Sequence, residues 1–235
     1  MQDFNQDILC GLDEAGRGPL AGPVCAAAVI LPPNFPVEIL NDSKALSEKK
    51  REAAAVVIKE KALYAISFVD EKEIDRINIL NASLLAMKNA FTSLLEKLNN
   101  EKLGLSFPQY PSGSENSASK TASGATPNAR LMENPSLIIR AIADGNKVPP
   151  LPLEVSGLKI IPECMVKADA KVHEVMAASI LAKTARDEFM LKMDELYPEY
   201  GYAKHKGYPT KAHVEACRRL GPSPIQRLSF SFGKG

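Results

Sequence analysis

Short apolar runs bounded by glycine and proline alternate along the chain with longer stretches in which apolar residues recur every three or four positions. Ile8 to Asp13 and Val24 to Leu31 are the first two runs, joined by Gly16-Arg17-Gly18-Pro19-Leu20-Ala21-Gly22, and they predict two neighbouring strands. Ser47 can cap a helix through the Lys/Glu- and Ala-rich stretch to Lys61, after which Leu63 to Val69 returns to a strand pattern. Asp70 with Glu73 three residues on makes a capping-box-like start for another helix. Leu80, Leu84, Met87, Phe91, Leu94 and Leu98 then repeat at helical spacing and predict one apolar stripe against a core. Leu137 to Ala143 and Leu158 to Val166 read as two buried strands, each followed by an acid, Asp144 and Asp169, so that both carboxylates are expected at strand ends. Val172 to Leu196 is a long helical stretch, and Thr210 with Gly221 brackets a short final helix. Strands clustered first and then alternating with helices predict an α/β domain on a mixed sheet.

Gly104 to Pro135 breaks this pattern: 18 of its 32 residues are Ser, Gly, Pro, Thr or Asn, and nothing apolar recurs with a period. It is expected to be a disordered surface insertion. The 235 residues, 45% hydrophobic and 24% charged, otherwise suit one large globular domain with a small appendage and exclude a disordered chain. The run from Val24 is locked between Pro23 and Pro32, far short of the ~20 residues of a membrane span. Asp3 and Asp7 stand where a secretory signal carries basic residues, so a cytoplasmic protein without membrane contact is expected. Cys10, Cys25, Cys164 and Cys217 are widely spaced and read as reduced structural thiols. Net charge is only +1, yet residues 200–235 hold Lys204, Lys206, Lys211, Arg218, Arg219, Arg227 and Lys234 against the single acid Glu215. Such a basic end, with Tyr200, Tyr202 and Tyr208 interleaved, could track a phosphate backbone or be an ordinary solvated helix and arm.

Asp13 and Glu14 leave the first strand side by side, and adjacent carboxylates cannot both be buried there without a cation. With Asp144 and Asp169 they make four strand-end acids. An all-oxygen ligand set of this kind suits Mg²⁺ or Mn²⁺ and the handling of phosphates, whereas any one of the four alone would be an ordinary turn acid. The glycines do not make a dinucleotide loop: Gly16, Gly18 and Gly22 give G-x-G-x-x-x-G, followed by a strand-like run and not by a phosphate-binding helix. A backbone-amide platform with Arg17 beside it, or plain turn geometry, are the readings left. His205 and His213 are expected at the surface or facing phosphate, with no part as general base.

The string GLDEAGRGPLAGPV at Gly11 to Val24 closely resembles the signature of the prokaryotic ribonuclease HII (type 2 ribonuclease H) family. The resemblance continues in order through Asn41-Asp42-Ser43-Lys44-Ala45-Leu46-Ser47, Asp144-Gly145-Asn146, Asp169 with Ala177-Ala178-Ser179-Ile180-Leu181-Ala182-Lys183, His205-Lys206-Gly207-Tyr208 and Gly221-Pro222-Ser223-Pro224. It spans the chain apart from 104–135. It implies a ribonuclease H-like mixed sheet flanked by helices over 1–196 and a basic helical C-terminal extension over 197–235. It also implies a monomeric endonuclease that cleaves the RNA strand of RNA/DNA hybrids and incises 5′ to single ribonucleotides in duplex DNA. The cleavage would be two-metal hydrolysis with Mg²⁺ or Mn²⁺, leaving 3′-OH and 5′-phosphate ends. Carried over by motif, the metal-binding and catalytic residues are Asp13, Glu14, Asp144 and Asp169. Gly16, Arg17 and Gly18 would sense the ribose 2′-OH and adjoining phosphate, Tyr208 would pack on the next deoxyribose, and Ser43, Lys44 and Lys183 would contact phosphate. The chain departs from the family in having Lys167-Ala168-Asp169 where Lys-Gly-Asp is common, and in a longer Pro149 to Pro152 segment. Gln226 to Phe232 approximates a replication-clamp peptide only poorly. A junction-resolvase- or transposase-like nuclease would share the carboxylates without the ribose sensor, and a silent nucleic-acid-binding module would need neither.

Overall fold

The structure, a computed structural model, describes residues 7–40, 46–101 and 138–231. The expected insertion at 104–135 and the substrate contacts Ser43 and Lys44 lie outside the described residues. Strands β1 (Ile8–Ala15), β2 (Val24–Ile30), β3 (Leu63–Val69), β4 (Ile138–Asp144), β5 (Glu154–Val155) and β6 (Leu158–Met165) form one sheet in the order β3-β2-β1-β4-β6-β5. The first three strands are antiparallel neighbours, whereas β4 runs parallel to β1 and β6 parallel to β4, so the sheet is mixed. The helices are α1 (Glu48–Lys61), α2 (Glu71–Ile77), α3 (Ile79–Glu101), α4 (His173–Leu196), the single turn α5 (Tyr202–His205) and α6 (Lys211–Leu220).

Every residue of β2 is buried, as a central strand covered on both faces requires. Its side chains alternate: Val24, Ala26, Ala28 and Ile30 join a core with α3, and Cys25, Ala27 and Val29 join a second core with α1 and α4. Small residues let α4 lie close to the sheet, through Ala177, Ala178 and Ala182 on the helix and Gly11 on β1, where a Cβ would strike the backbone of Glu174. That close approach carries Ser179, Lys183 and Arg186 on one helix past the end of β1 and the loop that follows it.

The expected caps form. Ser47 accepts from the Lys50 N–H, Thr210 accepts from the His213 N–H, and Gly221 ends α6. Asp70 caps α2 by accepting from the Glu73 N–H at 2.8 Å, but Glu73 does not complete a capping box, because its carboxylate is drawn to Arg76. Asn78, at φ 68°, separates α2 from α3, and its side chain caps the new helix at Asn81. The apolar stripe of α3 is buried from Met87 onward, with Ala82, Ala86 and Ala90 beside it, while Leu80 stays exposed. No helix among the described residues is long and apolar enough to cross a membrane. All four cysteines are free, and three of them are buried.

Candidate active site

The parallel register of β1 and β4 pairs Leu12 with Ala143, so Asp13 and Asp144, the next residue on each strand, emerge together. Asp169 reaches them differently from expectation. It sits on a single 3-10 turn, Ala168–Ala170, four residues past the end of β6, and not at the strand end itself. The turn is aimed by Lys167, whose φ of 60° is left-handed, and is locked by the Ala168 N–H donating to Asp144 Oδ1 at 2.8 Å. The Ala168 methyl packs with Ile142 and Val175, so the place of the family's usual glycine is filled by core contact, and the left-handed residue is its neighbour. One carboxylate oxygen from each of Asp13, Asp144 and Asp169 lies within 4.8 Å of the others. Glu14 is outside that triad but close enough for Asp144 to act on its charge.

This cluster is electrostatically unfinished. Burial first, then the charges of Glu14 and Asp144, hold the Asp13 carboxyl well above the usual carboxylate range, against a hydrogen bond from Ser179. Burial likewise raises Glu14, opposed by Arg17, whose guanidinium lies 3.3 Å from Glu14 Oε1. Glu14 Oε2 is buried with no hydrogen-bond partner among the described residues. Converging carboxylates and, among the described residues, an orphaned acceptor oxygen fit a divalent cation, which binds through hard oxygen ligands.

Beyond Glu14 the chain turns through Gly16, at φ 100°, where a Cβ would run into Arg186. Gly18 lies against Tyr208: a Cβ there would be 3.7 Å from the edge of the ring. Lys183 sits 5.7 Å from the centre of the same ring and donates to Asp187 at 2.7 Å, with Arg51 3.8 Å from that carboxylate. Gly18, Tyr208 and Lys183, called separately from sequence, are thus neighbours, and Arg17 is tied to Glu14.

Three expectations for the C-terminal part need correction. His205 and His213 are not surface residues. They are buried, stacked at 4.5 Å, and bonded to the backbone of the turn that carries Tyr208, His213 Nδ1 to the Tyr208 carbonyl and His205 Nδ1 to the Gly207 N–H. Their apolar surroundings, with Tyr202 edge-on to both rings, explain the burial and lower both pKa values. Arg227 is not free to track phosphate, being fully buried behind the glycine loop. Of the three interleaved tyrosines, Tyr202 is buried, hydrogen-bonded to Ser223 and stacked on Tyr200. Sequence reasoning assigned no role to Ser179 or Arg186, and it read Arg227 only as one basic residue of the C-terminal tail. Only Ser179 carried a local signal, standing inside a quoted motif, whereas the two arginines meet the loop across more than 160 residues of chain.

A mixed sheet with carboxylates gathered where parallel strands β1 and β4 end, and a cation called for among them, defines a metal-dependent nuclease of the ribonuclease H-like class. The ribonuclease HII family model matches residues 10–103 and 117–232, its break falling inside the Gly104 to Pro135 stretch. A ribonuclease HII of Treponema denticola is 48% identical over 225 residues, 95% of this chain and 98% of that protein. The chain belongs to the ribonuclease HII family, whose members are metal-dependent endonucleases acting on RNA/DNA hybrids. Among solved structures, the fold resembles that of the PCNA:RNase HII complex from Archaeoglobus fulgidus, with TM-score 0.63, 20% identity and 97% of both chains covered. It also resembles Bst-RNase HIII in complex with Mn²⁺, with TM-score 0.62, 16% identity, 98% of this chain and 69% of that one.

Proposed function

We propose that this protein cleaves the RNA strand of RNA/DNA hybrids and incises duplex DNA 5′ to a single embedded ribonucleotide, leaving 3′-OH and 5′-phosphate ends. The observation that carries the reading is the joining of two features by one short segment: the carboxylate cluster to which β1 gives Asp13, and Gly18 against Tyr208 five residues later. Asp13, Glu14, Asp144 and Asp169 would hold Mg²⁺ or Mn²⁺, and a bound pair would supply Lewis-acid stabilisation of the oxygens of an in-line displacement. Asp144, held by the Ala168 N–H, fixes the turn that presents Asp169, and Ser179 orients Asp13. Neither buried histidine takes part in proton transfer.

The 2′-OH is the direct chemical difference between the two sugars. Backbone N–H groups of the Gly16-Arg17-Gly18 segment meet it at close range, since glycines keep side chains away. The half-exposed Tyr208 ring packs on the following deoxyribose and would crowd a second 2′-OH. Arg17 and Lys183 contact phosphate, as do Ser43 and Lys44 on the strength of their motif. The gathered carboxylates count against a silent binding module, and the glycine–tyrosine pair against a junction resolvase. We place the enzyme in the cytoplasm as a monomer without membrane contact. A sliding clamp is a candidate partner on the strength of the Archaeoglobus complex alone, and here Gln226 is buried and donates to the Leu20 carbonyl, so a clamp peptide beginning there would have to leave its place.

The test is cleavage with Mg²⁺ of three labelled duplexes: continuous RNA/DNA, DNA with one ribonucleotide, and all-DNA. Cutting of the first two and not the third, with a single incision 5′ to the ribonucleotide, is expected. Cutting of all three, or of the continuous hybrid alone, would refute the ribonucleotide reading.

A further inference from the structure

The glycine loop is held from behind by two buried arginines. Arg227 donates from Nη2 to the Gly16 carbonyl at 2.6 Å, from Nη1 to those of Arg17 at 3.2 Å and Pro19 at 2.8 Å, and from Nε to that of Gly22 at 2.8 Å. Arg186 donates to the carbonyls of Ala21, Pro23 and Lys206, each at 3.0 Å, and lies 5.9 Å from the centre of the Tyr208 ring. The Leu20 carbonyl accepts from the Arg227 N–H and from Gln226. The Leu20 N–H donates to the Gly207 carbonyl, which ties the loop to the Tyr208 turn.

Peptide geometry gives these bonds a consequence at the opposite face. In a planar trans peptide the carbonyl of one residue and the N–H of the next point in opposite directions. Fixing the Gly16 and Arg17 carbonyls toward Arg227 therefore fixes the N–H groups of Arg17 and Gly18 away from it. A guanidinium fork can hold several carbonyls in a set geometry, which a lysine ammonium cannot. Arg227 is itself kept in place by the segment around it: the Gly22 N–H donates to Ile225, Phe230 lies 5.1 Å from the guanidinium, and Asp75 accepts from Leu228 N–H, Ser229 N–H and the Ser229 hydroxyl.

We propose that Arg227 is a positioning residue for ribose discrimination: by gripping the Gly16 and Arg17 carbonyls it aims the Arg17 and Gly18 amides at the 2′-OH, touching neither substrate nor metal. The inference rests on the reading of Gly16 to Gly18 as the ribose sensor, and it assigns to the C-terminal segment, through Asp75, the task of keeping that sensor in shape.

The test measures binding by fluorescence anisotropy with Mg²⁺ in an Asp144→Asn background, where cleavage is suppressed. Two duplexes of one sequence are compared, all-DNA and DNA with one ribonucleotide. With Arg227 intact the ribonucleotide duplex binds more tightly. In the Arg227→Lys protein that preference falls at least about tenfold, the scale of a misplaced hydrogen bond in a closed site, while the all-DNA Kd stays within about twofold. A preserved preference overturns the proposal and leaves the sensor reading standing, whereas an equal loss on both duplexes overturns it in favour of a merely structural role. No preference with Arg227 intact refutes the sensor reading itself. If Arg227→Lys does not fold, Asp75→Ala, which cuts three hydrogen bonds at a partly exposed site beside Arg227, replaces it. The preference is then expected to fall at least about threefold, a loss of roughly half a hydrogen bond, and an unchanged preference overturns the proposal.

Discussion

Two regions of this protein bury charge in opposite ways. At the ends of β1 and β4, carboxylates converge, and among the described residues Glu14 has an orphaned oxygen and the half-exposed Arg17 guanidinium beside it. Behind the adjoining loop, Arg186 and Arg227 are as deeply buried, but each uses all three of its nitrogens on backbone carbonyls. A buried guanidinium bonded through every nitrogen stiffens what it holds, although burial lowers both pKa values and, with the charge of Arg186 beside it, brings Arg227 down to about 9. A buried charge left incomplete persists only if something outside the chain completes it. The arginine region is therefore a frame, and the carboxylate region is a socket.

The largest effect that separates them is on activity. Asp144→Asn should lower cleavage of the continuous hybrid about 10²-fold or more, since charge at a preorganised site is lost, while leaving the melting temperature in EDTA equal or higher. Lower stability in step with activity would place Asp144 in the frame and not in the socket. The mirror experiment is Arg186→Met, which strands the carbonyls of Ala21, Pro23 and Lys206. It should cost about 3 kcal/mol of stability, read from denaturant unfolding, and a loss below about 1 kcal/mol would show that water replaces the guanidinium. Tyr208→Ala sits where the regions meet. A roughly tenfold loss of kcat/KM on the single-ribonucleotide duplex, exceeding that on the continuous hybrid, is expected from removal of one ring-on-sugar contact. Equal losses would make the tyrosine general packing.

The smallest effect is on pH dependence, and its sign differs between the regions. Asp13 and Glu14 have folded-state pKa values raised by burial, so without metal their contribution is fully present below about pH 4 and is lost as pH rises through the raised values. The buried His205 and His213 are lowered, so theirs is present above about pH 6.5 and is lost as pH falls through the lowered values. In EDTA, Asp13→Asn should flatten the decline of melting temperature above pH 4, and His213→Gln should flatten the acid-side decline. Unchanged profiles would mean that these groups are solvated after all.

The socket was largely legible in the sequence because its parts are local: Asp13-Glu14 leaves a hydrophobic run, Asp144 closes another, and Gly16 to Gly18 follow within a few residues. Asp169 was legible as a member of the carboxylate cluster but not as a turn residue, since its position depends on left-handed Lys167 and on the Ala168 bond to Asp144. The frame was not legible. Arg227 looks like one more basic residue of a charged tail, and His205 and His213 like surface residues, because nothing near them in sequence reports that Tyr202, Tyr208 and the loop 16–23 close around them. Strand and helix limits followed hydrophobic periodicity to within a residue or two, except where a polar residue intervened, as Asn78 does between α2 and α3.

The most direct measurement of the socket is the melting temperature of the wild-type protein in EDTA and in increasing Mg²⁺ or Mn²⁺ at pH 7.5. A cation that completes the carboxylate cluster binds the folded state alone, so the melting temperature should rise with the logarithm of its concentration, and this rise should be abolished or strongly reduced in Asp144→Asn while persisting in Arg227→Lys. No rise in the wild-type protein, or an equal rise in Asp144→Asn, would contradict the claim that these buried carboxylates are held apart from their neighbours in readiness for a metal.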